Sequence, residues 1–377
     1  MKKIAFVGQD MFAQGAQHVM ARLTRGLIAR GYDVDILMSK VHTDYVAEGR
    51  AGAFPVPPQT RWIFMKDRRA RHNVGQLRQY LKTTDASVVV AQDLNYCRAL
   101  RLASIGLRKR PMLLYVEHGL ASCNDRGEFL PPQSKWSLRS LFLRWFWSKY
   151  DRIFVVSRSA VNDFLKVNPW YDVRRMHVVY NPVVDDELFM QAQRPPRHPW
   201  LRQKTVKTFV SAGAFVKNKG HMTILRAMKE VKARGYGVRV VIFGQGPLET
   251  EYRRFIAQNG LEDSVSIAKF TDNFPGEVNA SDGYLLSSET ESFGLTLVES
   301  LACGCPIVAT DAPYGPREIL KDGKYGTLVP VGDVMAYCQA IIKLANSPRI
   351  SPPKESWTDY TIDVTVIRYL KGLDLMA

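Results

Sequence analysis

The sequence predicts an α/β protein made of two doubly wound, parallel-sheet domains. Three observations carry this expectation. Short runs rich in β-branched residues alternate with segments of helical spacing, the pattern of strands buried on both faces beneath covering helices. The alternation stops at Asn181-Pro182, passes the Pro- and Arg-rich stretch Arg194-Pro195-Pro196-Arg197-His198-Pro199, and starts again at Thr208. A chain of 377 residues is long for one domain and comfortable for two, and 46% hydrophobic residues supply a large core to each.

In chain order, Ile4–Val7 reads as the first buried strand. Its apolar run is too short for a secretory leader and ends in Gln9-Asp10. Ala16–Arg30 has helical spacing, with Val19, Leu23, Leu27 and Ile28 on one face and Gly31-Tyr32 as the stop. Asp33–Met38, Ser87–Ala91, Met112–Glu117, Arg152–Ser157 and Met176–Tyr180 read as further strands. In the second half, strands are expected over Thr208–Ala212, Val238–Phe243, Val265–Ala268, Gly283–Leu286 and Pro306–Thr310. Helices are expected over Met222–Arg234, Leu248–Asn259 and Val334–Asn346, and over Trp357–Leu375 after the Pro352-Pro353 break. The expected divisions are 1–183, 184–355 and a terminal segment 356–377. Two such domains imply a ligand cleft facing the carboxyl ends of both sheets.

The charge is uneven. Of the net +16, residues 1–180 carry +15, from 29 Lys and Arg against 14 Asp and Glu. A one-sided positive field implies an anionic partner for that half: nucleic acid, an anionic membrane surface or an anionic lipid acceptor. The five cysteines, Cys97, Cys123, Cys303, Cys305 and Cys338, form no C-x-x-C pair. That argues against a disulfide framework and a zinc site, and for a reducing, cytoplasmic setting. No stretch approaches the roughly 18 apolar residues of a membrane span.

The most informative segment is Glu291-Ser292-Phe293-Gly294-Leu295-Thr296-Leu297-Val298-Glu299, followed by Gly304-Cys305-Pro306 and the β-branched run to Thr310. It reads as loop, helix start, short helix, turn and buried strand. A helix start offers free backbone N–H groups and partial positive charge, which suit a phosphate. Glu291 precedes that start and Glu299 lies about two turns along, so the pair suits a ligand with hydroxyls on both sides of a phosphate. A surface helix with two solvated carboxylates explains neither Phe293-Gly294 nor the buried strand that follows.

This segment, with Pro313-Tyr314-Gly315-Pro316-Arg317-Glu318-Ile319 after it, resembles the donor-binding signature of retaining family 4 glycosyltransferases, whose pattern is Glu, seven residues, Glu. The resemblance implies the GT-B fold, two Rossmann-like domains facing a cleft. It implies transfer of a hexose, with retention, from a nucleotide-sugar to a hydroxyl. UDP is the base that family frequency favours. It implies that Glu291 contacts the transferred sugar, that amides around Phe293, Gly294 and Leu295 contact the phosphates, and that Glu299 binds the ribose. It also implies that the last helix crosses back to the first domain.

Other positions follow from the same resemblance. Lys219 matches the family's loop lysine, while Ala214 stands where the family has Arg; Lys217 is the cation nearest in sequence to compensate. Gly244 and Gly246 match a second-line donor contact, and Phe270 matches a stretch near the base, with Lys269 where the family has Gly. Gly15 lies on the loop after the first strand, with Gln14 replacing a family Gly. His118, at a strand end before Gly119, matches a family histidine near the sugar. No cofactor and no metal are expected, because Asp33-Val34-Asp35 enters an early strand and is a poor diphosphate–metal pair.

Residues 135–150 read as a helix with Leu138, Leu141, Phe142 and Trp145 inward. Leu143, Phe146 and Trp147 are then left over among Lys135, Arg139, Arg144 and Lys149, which fits either a membrane-interface helix or one buried on two sides. The reading is therefore a retaining, metal-independent glycosyltransferase, cytoplasmic and peripheral on the inner face of the membrane, with a lipid-linked, lipopolysaccharide or polysaccharide acceptor. Its rivals are a basic nucleic-acid-binding protein, which lacks a recognisable reading module, and a nucleotide-sugar epimerase of similar fold.

Overall fold

Val, Ile and Leu runs of four to six residues form strands because their side chains pack on both faces of a parallel sheet. The computed structural model describes residues 2–8, 15–39, 56–122, 138–148 and 150–376, with backbone alone at 16–17, 39 and 138–142. Gln14, Cys123, Lys135, Trp136 and Lys149 lie outside the described residues. The chain divides into two units, Met1–Pro182 with Ile362–Ala377, and Val183–Thr361.

Among its described residues the first unit holds seven strands: β1 (Lys3–Gly8), β2 (Asp33–Ser39), β3 (Arg61–Met65), β4 (Val88–Ala91), β5 (Met112–Glu117), β6 (Arg152–Val155) and β7 (Met176–Val178). All pair in parallel, in the order β3-β2-β1-β4-β5-β6-β7. The order reverses between β1 and β4, where Ile4 stands opposite Val88. Ligands in such sheets bind outside the carboxyl ends at this reversal. β3 was not expected from the sequence: its five residues, Arg-Trp-Ile-Phe-Met, follow directly on Pro57-Pro58-Gln59-Thr60 at the sheet edge.

The second unit holds β8 (Thr208–Ala212), β9 (Arg239–Phe243), β10 (Val265–Ala268), β11 (Gly283–Leu286), β12 (Ile307–Thr310) and β13 (Thr327–Val329). They too are parallel, in the order β10-β9-β8-β11-β12-β13, with the reversal between β8 and β11. Its core joins Phe209, Val240 and Ile242 of the sheet to Ile224, Met228 and Tyr337 of the covering helices.

The Pro-rich stretch 194–199 belongs to the second unit. Glu277 accepts hydrogen bonds from the amides of Arg197 and His198, and Asn273 donates to the Pro195 carbonyl. The tail departs from the expected helix over Trp357–Leu375. Residues 358–360 form a tight turn, Tyr360 is buried in the second unit, and the helix runs only over Ile362–Gly372. That helix lies in the first unit, where Val366 packs against Gly26 and Tyr369 meets Phe154 edge-on at 5.0 Å.

The helix Leu138–Trp147 corrects one expectation. Phe146 and Trp147 are 5% and 4% exposed, in an aromatic cluster with Tyr115, Tyr150 and Phe164, whereas Trp145 is 46% exposed. Two stripes of i, i+3, i+4 spacing compete in this sequence, and the aromatic neighbours on β5 and on helix Arg158–Val167 select the one containing Leu143, Phe146, Trp147 and Tyr150. Burying a ring of this size is worth about 2–3 kcal/mol, so these rings are not spare surface. Among the described residues no helix is long and apolar enough to cross a membrane.

Candidate active site

The second unit gathers its loops at the β8/β11 reversal. After β8 the chain turns through Gly213–Gly220, with a short 3-10 turn over Lys217–Lys219, and enters helix His221–Ala233. After β11 it runs through Ser287–Gly294 and enters helix Leu295–Ala302. The two loops are stitched together: the Glu289 amide donates to the Asn218 carbonyl at 2.7 Å, and Ser287 Oγ donates to the Lys219 carbonyl at 2.9 Å. This stitching brings the Lys219 ammonium to 2.6 Å from Glu291 Oε2, and Ser288 Oγ lies 3.3 Å from the same oxygen. Both partners are largely covered, which strengthens the attraction over that of an exposed pair.

Glu291 is fixed from its other side as well. Its carbonyl accepts from the Gly315 amide at 2.9 Å. A Cβ at Gly315 would fall inside the Phe293 carbonyl, so only glycine lets the loop after β12 approach this closely. Phe293 is buried edge-on against Tyr360, centroids 5.6 Å apart, leaving its backbone rather than its ring for any ligand. Gly294, at φ +107°, starts helix Leu295–Ala302, which no side chain caps. The first N–H groups of a helix have no intrahelical acceptor, so this end suits an anion. Glu299 is half-buried on the same helix, one turn beyond Leu295.

Gly244 and Gly246 follow β9 and close against the Lys219 loop. The Phe215 amide donates to the Gln245 carbonyl and the Leu248 amide to the Phe215 carbonyl, and side chains at 244 or 246 would strike the Gly213 and Phe215 backbone. Their observed contacts are therefore to the protein's own loop. Phe270 stands 55% exposed beyond β10, the outer strand. Ala214 and Lys217 are exposed. Arg317 is held by Asp311 and Asp322.

Gly15 and His118 lie in the first unit. Gly15 is the first residue of helix Gly15–Ile28. His118 follows β5 and its Nε2 lies 2.6 Å from Gln92 Oε1, so residues after β5 and β4 meet beside the first unit's reversal. Burial lowers the His118 pKa to about 4, which keeps the ring neutral. Next to it, burial raises Glu117 to about 7, against opposing bonds from the Gly119 amide and the Tyr115 hydroxyl. Asp35 is buried on β2 and accepts from Tyr80 Oη of helix Val74–Thr83 at 2.8 Å.

Sequence reasoning missed Gln92, Ser288 and His221. Gln92 carried a signal, since it directly follows a buried strand. Ser288 follows another. His221 sits beneath the loop, 1% exposed, its pKa lowered to about 3 by burial and then by Lys219.

Known proteins share this organisation. Residues 13–187 match the family model described as Glycosyltransferase Family 4, and residues 194–363 match Glycosyl transferases group 1. The chain is 28% identical over 193 residues to N-acetylgalactosamine-N,N'-diacetylbacillosaminyl-diphospho-undecaprenol 4-alpha-N-acetylgalactosaminyltransferase of Campylobacter jejuni, covering 51% of this chain and 50% of that protein. It is 27% identical over 195 residues to N-acetyl-alpha-D-glucosaminyl L-malate synthase of Bacillus anthracis, covering 52% and 50%. The matched regions thus span about half the length of these curated relatives. Among solved structures, TarM of S. aureus with UDP superposes with a TM-score of 0.76 at 13% identity, covering 99% of this chain and 100% of that one. HepE of Anabaena with UDP and glucose superposes with a TM-score of 0.71 at 17% identity, covering 100% and 96%. Neither a nucleic-acid-binding protein nor an epimerase is favoured by these likenesses. Two adjoining glycosyltransferase matches thus cover nearly the whole length, and the two parallel Rossmann-like sheets give the chain the GT-B fold.

Proposed function

We propose that this protein is a retaining hexosyltransferase that moves a sugar from a nucleotide-sugar, with UDP as the expected base, to a hydroxyl of a lipid-linked, lipopolysaccharide or polysaccharide acceptor. The observation that carries the proposal is the Lys219–Glu291 pair at the uncapped start of helix Leu295–Ala302. Sugar transfer leaves a diphosphate with growing negative charge while the sugar becomes oxocarbenium-like. In this reading Lys219 and the helix amides around Phe293, Gly294 and Leu295 take that charge, and no metal is invoked. Glu291 orients the sugar hydroxyls and holds Lys219 in position; Glu299 takes the ribose. With the family Arg replaced by Ala214, the diphosphate leans more heavily on Lys219. The proposal also assigns neutral His118, in the first unit, to the transferred sugar, and a leaving phosphate oxygen to the acceptor proton. Phe270 is assigned to the base, and Gly15, Gly244 and Gly246 to second-line contacts.

The acceptor class follows the names of the relatives, one of which acts on a diphospho-undecaprenol. Together with +15 on residues 1–180 it also supports a cytoplasmic enzyme resting on an anionic membrane face. The test is release of nucleotide from UDP-, GDP- and ADP-sugars, with and without a lipid-linked glycan, and proton NMR of the product's anomeric centre. Acceptor-dependent release with the donor's anomeric configuration is expected. Release without acceptor, giving an isomerised sugar, or inversion at the anomeric carbon, contradicts it.

A further inference from the structure

A second site lies in the first unit, away from the carboxyl ends of its strands. Helix Leu94–Ala103 leads through residues 104–111 into the amino end of β5, and Trp145 and Asp151 bring the end of helix Leu138–Trp147 and the start of β6 beside it. These segments enclose an open cavity of about 870 Å³, in the size range of ligand pockets. Among the described residues its charged lining is basic: Arg101, Arg108, Arg110 and Arg152, against the single carboxylate of Asp151.

The cations are not equivalent. Arg110 is spent on Asp151, with Nη1 at 2.6 Å and Nη2 at 3.2 Å. Arg152 binds Asp374 at 2.9 Å and the Asp151 carbonyl at 3.1 Å. Arg108 is exposed at the mouth. Arg101 is the anomaly: it is 2% exposed, its guanidinium has no carboxylate partner among the described residues, and its buried Nε finds no acceptor. A buried charge without a partner is costly and rare in folded proteins. Among the described residues the Trp145 ring steadies it, with the guanidinium carbon 3.9 Å from the ring centroid. That stacking occupies a face of the guanidinium and leaves its in-plane N–H groups, the ones that grip an oxyanion two at a time. Arg78 donates to the carbonyls of Ala103 and Ile105 at 2.9 and 2.5 Å, so the loop is built rather than loose.

We propose that this cavity is a phosphate-binding site, with Arg101 as anchor, Arg108 and Arg152 as supporting cations and Trp145 as the platform. The convergence of several guanidiniums on one opening fits a multiply charged phosphate better than a single carboxylate. Exposed Leu102, Ile105 and Trp145 beside it would meet an apolar portion of the same ligand. The site is independent of the Lys219–Glu291 pair, which lies in the other unit.

The test uses the full chain and two probes: pyrophosphate by calorimetry, and sedimentation with phosphatidylcholine vesicles with or without phosphatidylglycerol. The variants are Arg101→Met and, because a buried substitution can disturb folding, Arg108→Glu at the exposed mouth; UDP affinity is measured in each. Pyrophosphate binding weakened roughly tenfold or more in both variants, with UDP affinity unchanged, identifies a soluble phosphate ligand. Vesicle binding that needs phosphatidylglycerol and is lost in both variants identifies a lipid headgroup. If the wild type binds neither probe, or both variants bind as the wild type does, the assignment is wrong.

Discussion

Lys219 and Glu291, 72 residues apart in the chain, place an ammonium 2.6 Å from a carboxylate where the strand order of the second sheet reverses. The two loops that carry them leave the carboxyl ends of adjacent parallel strands, β8 and β11. Each is stitched to the other by a backbone bond and by the Ser287 hydroxyl, so the pair is set before any ligand arrives. Such preorganisation is what a charge-stabilising site needs.

The two glutamates should separate in function. Glu299→Ala is expected to weaken binding of free nucleoside diphosphate. Glu291→Ala should leave that binding nearly intact and slow sugar transfer by on the order of 100-fold. Calorimetry with UDP beside initial-rate assays decides it; equal loss of nucleotide affinity in both variants removes the assigned division.

Gly315→Ala should act on the site without touching a ligand. The new methyl group meets the Phe293 carbonyl, and the Gly315–Glu291 backbone bond must break or shift. A loss of roughly 2–4 kcal/mol in urea unfolding is expected, together with loss of transfer. Wild-type stability in this variant would show that the loop after β12 has room to spare.

Phe146→Ala should destabilise the protein by about 3–5 kcal/mol, as for a core aromatic, whereas Trp145→Ala should cost about 1 kcal/mol or less. Urea unfolding of the two variants checks the assignment of the buried face. Equal, small effects would return Phe146 to the surface.

Fold class was legible because parallel strands buried on both faces leave an unmistakable apolar run, as at Val240–Phe243 and Ile307–Ala309. The loops that carry Lys219, Glu291 and Glu299 were legible because strand, loop and helix start fall in order around them; the resemblance, not the spacing, singled out Lys219. The face of helix Leu138–Trp147 was not. Its two apolar stripes are equally good by spacing, and only Tyr115, Tyr150 and Phe164, distant in sequence or at its end, choose between them. Gln92 and Arg101 were also hidden, since a hydrogen bond to His118 and a missing ion pair are tertiary facts.

Glu117 should leave a pH signature. Its folded pKa, about 7, is raised above the ordinary 4.5, so the fold favours the protonated acid. The stability it contributes is full below about pH 4.5 and is lost as pH rises through 7. Glu117→Gln should therefore flatten that decline, by on the order of 3 kcal/mol between the two limits. His118, lowered to about 4, acts oppositely: its contribution is present above 6.5 and lost as pH falls through 4. Urea midpoints of wild type and Glu117→Gln from pH 4 to 8 check this; parallel curves contradict it.

The most direct test of the central claim is calorimetric titration of UDP, GDP and ADP into the wild type and into Lys219→Ala. The account predicts one nucleoside diphosphate bound per chain by the wild type, with UDP preferred, and affinity reduced roughly tenfold or more without the Lys219 charge. A wild type that binds none of the three, or a Lys219→Ala protein that binds them equally well, would contradict it.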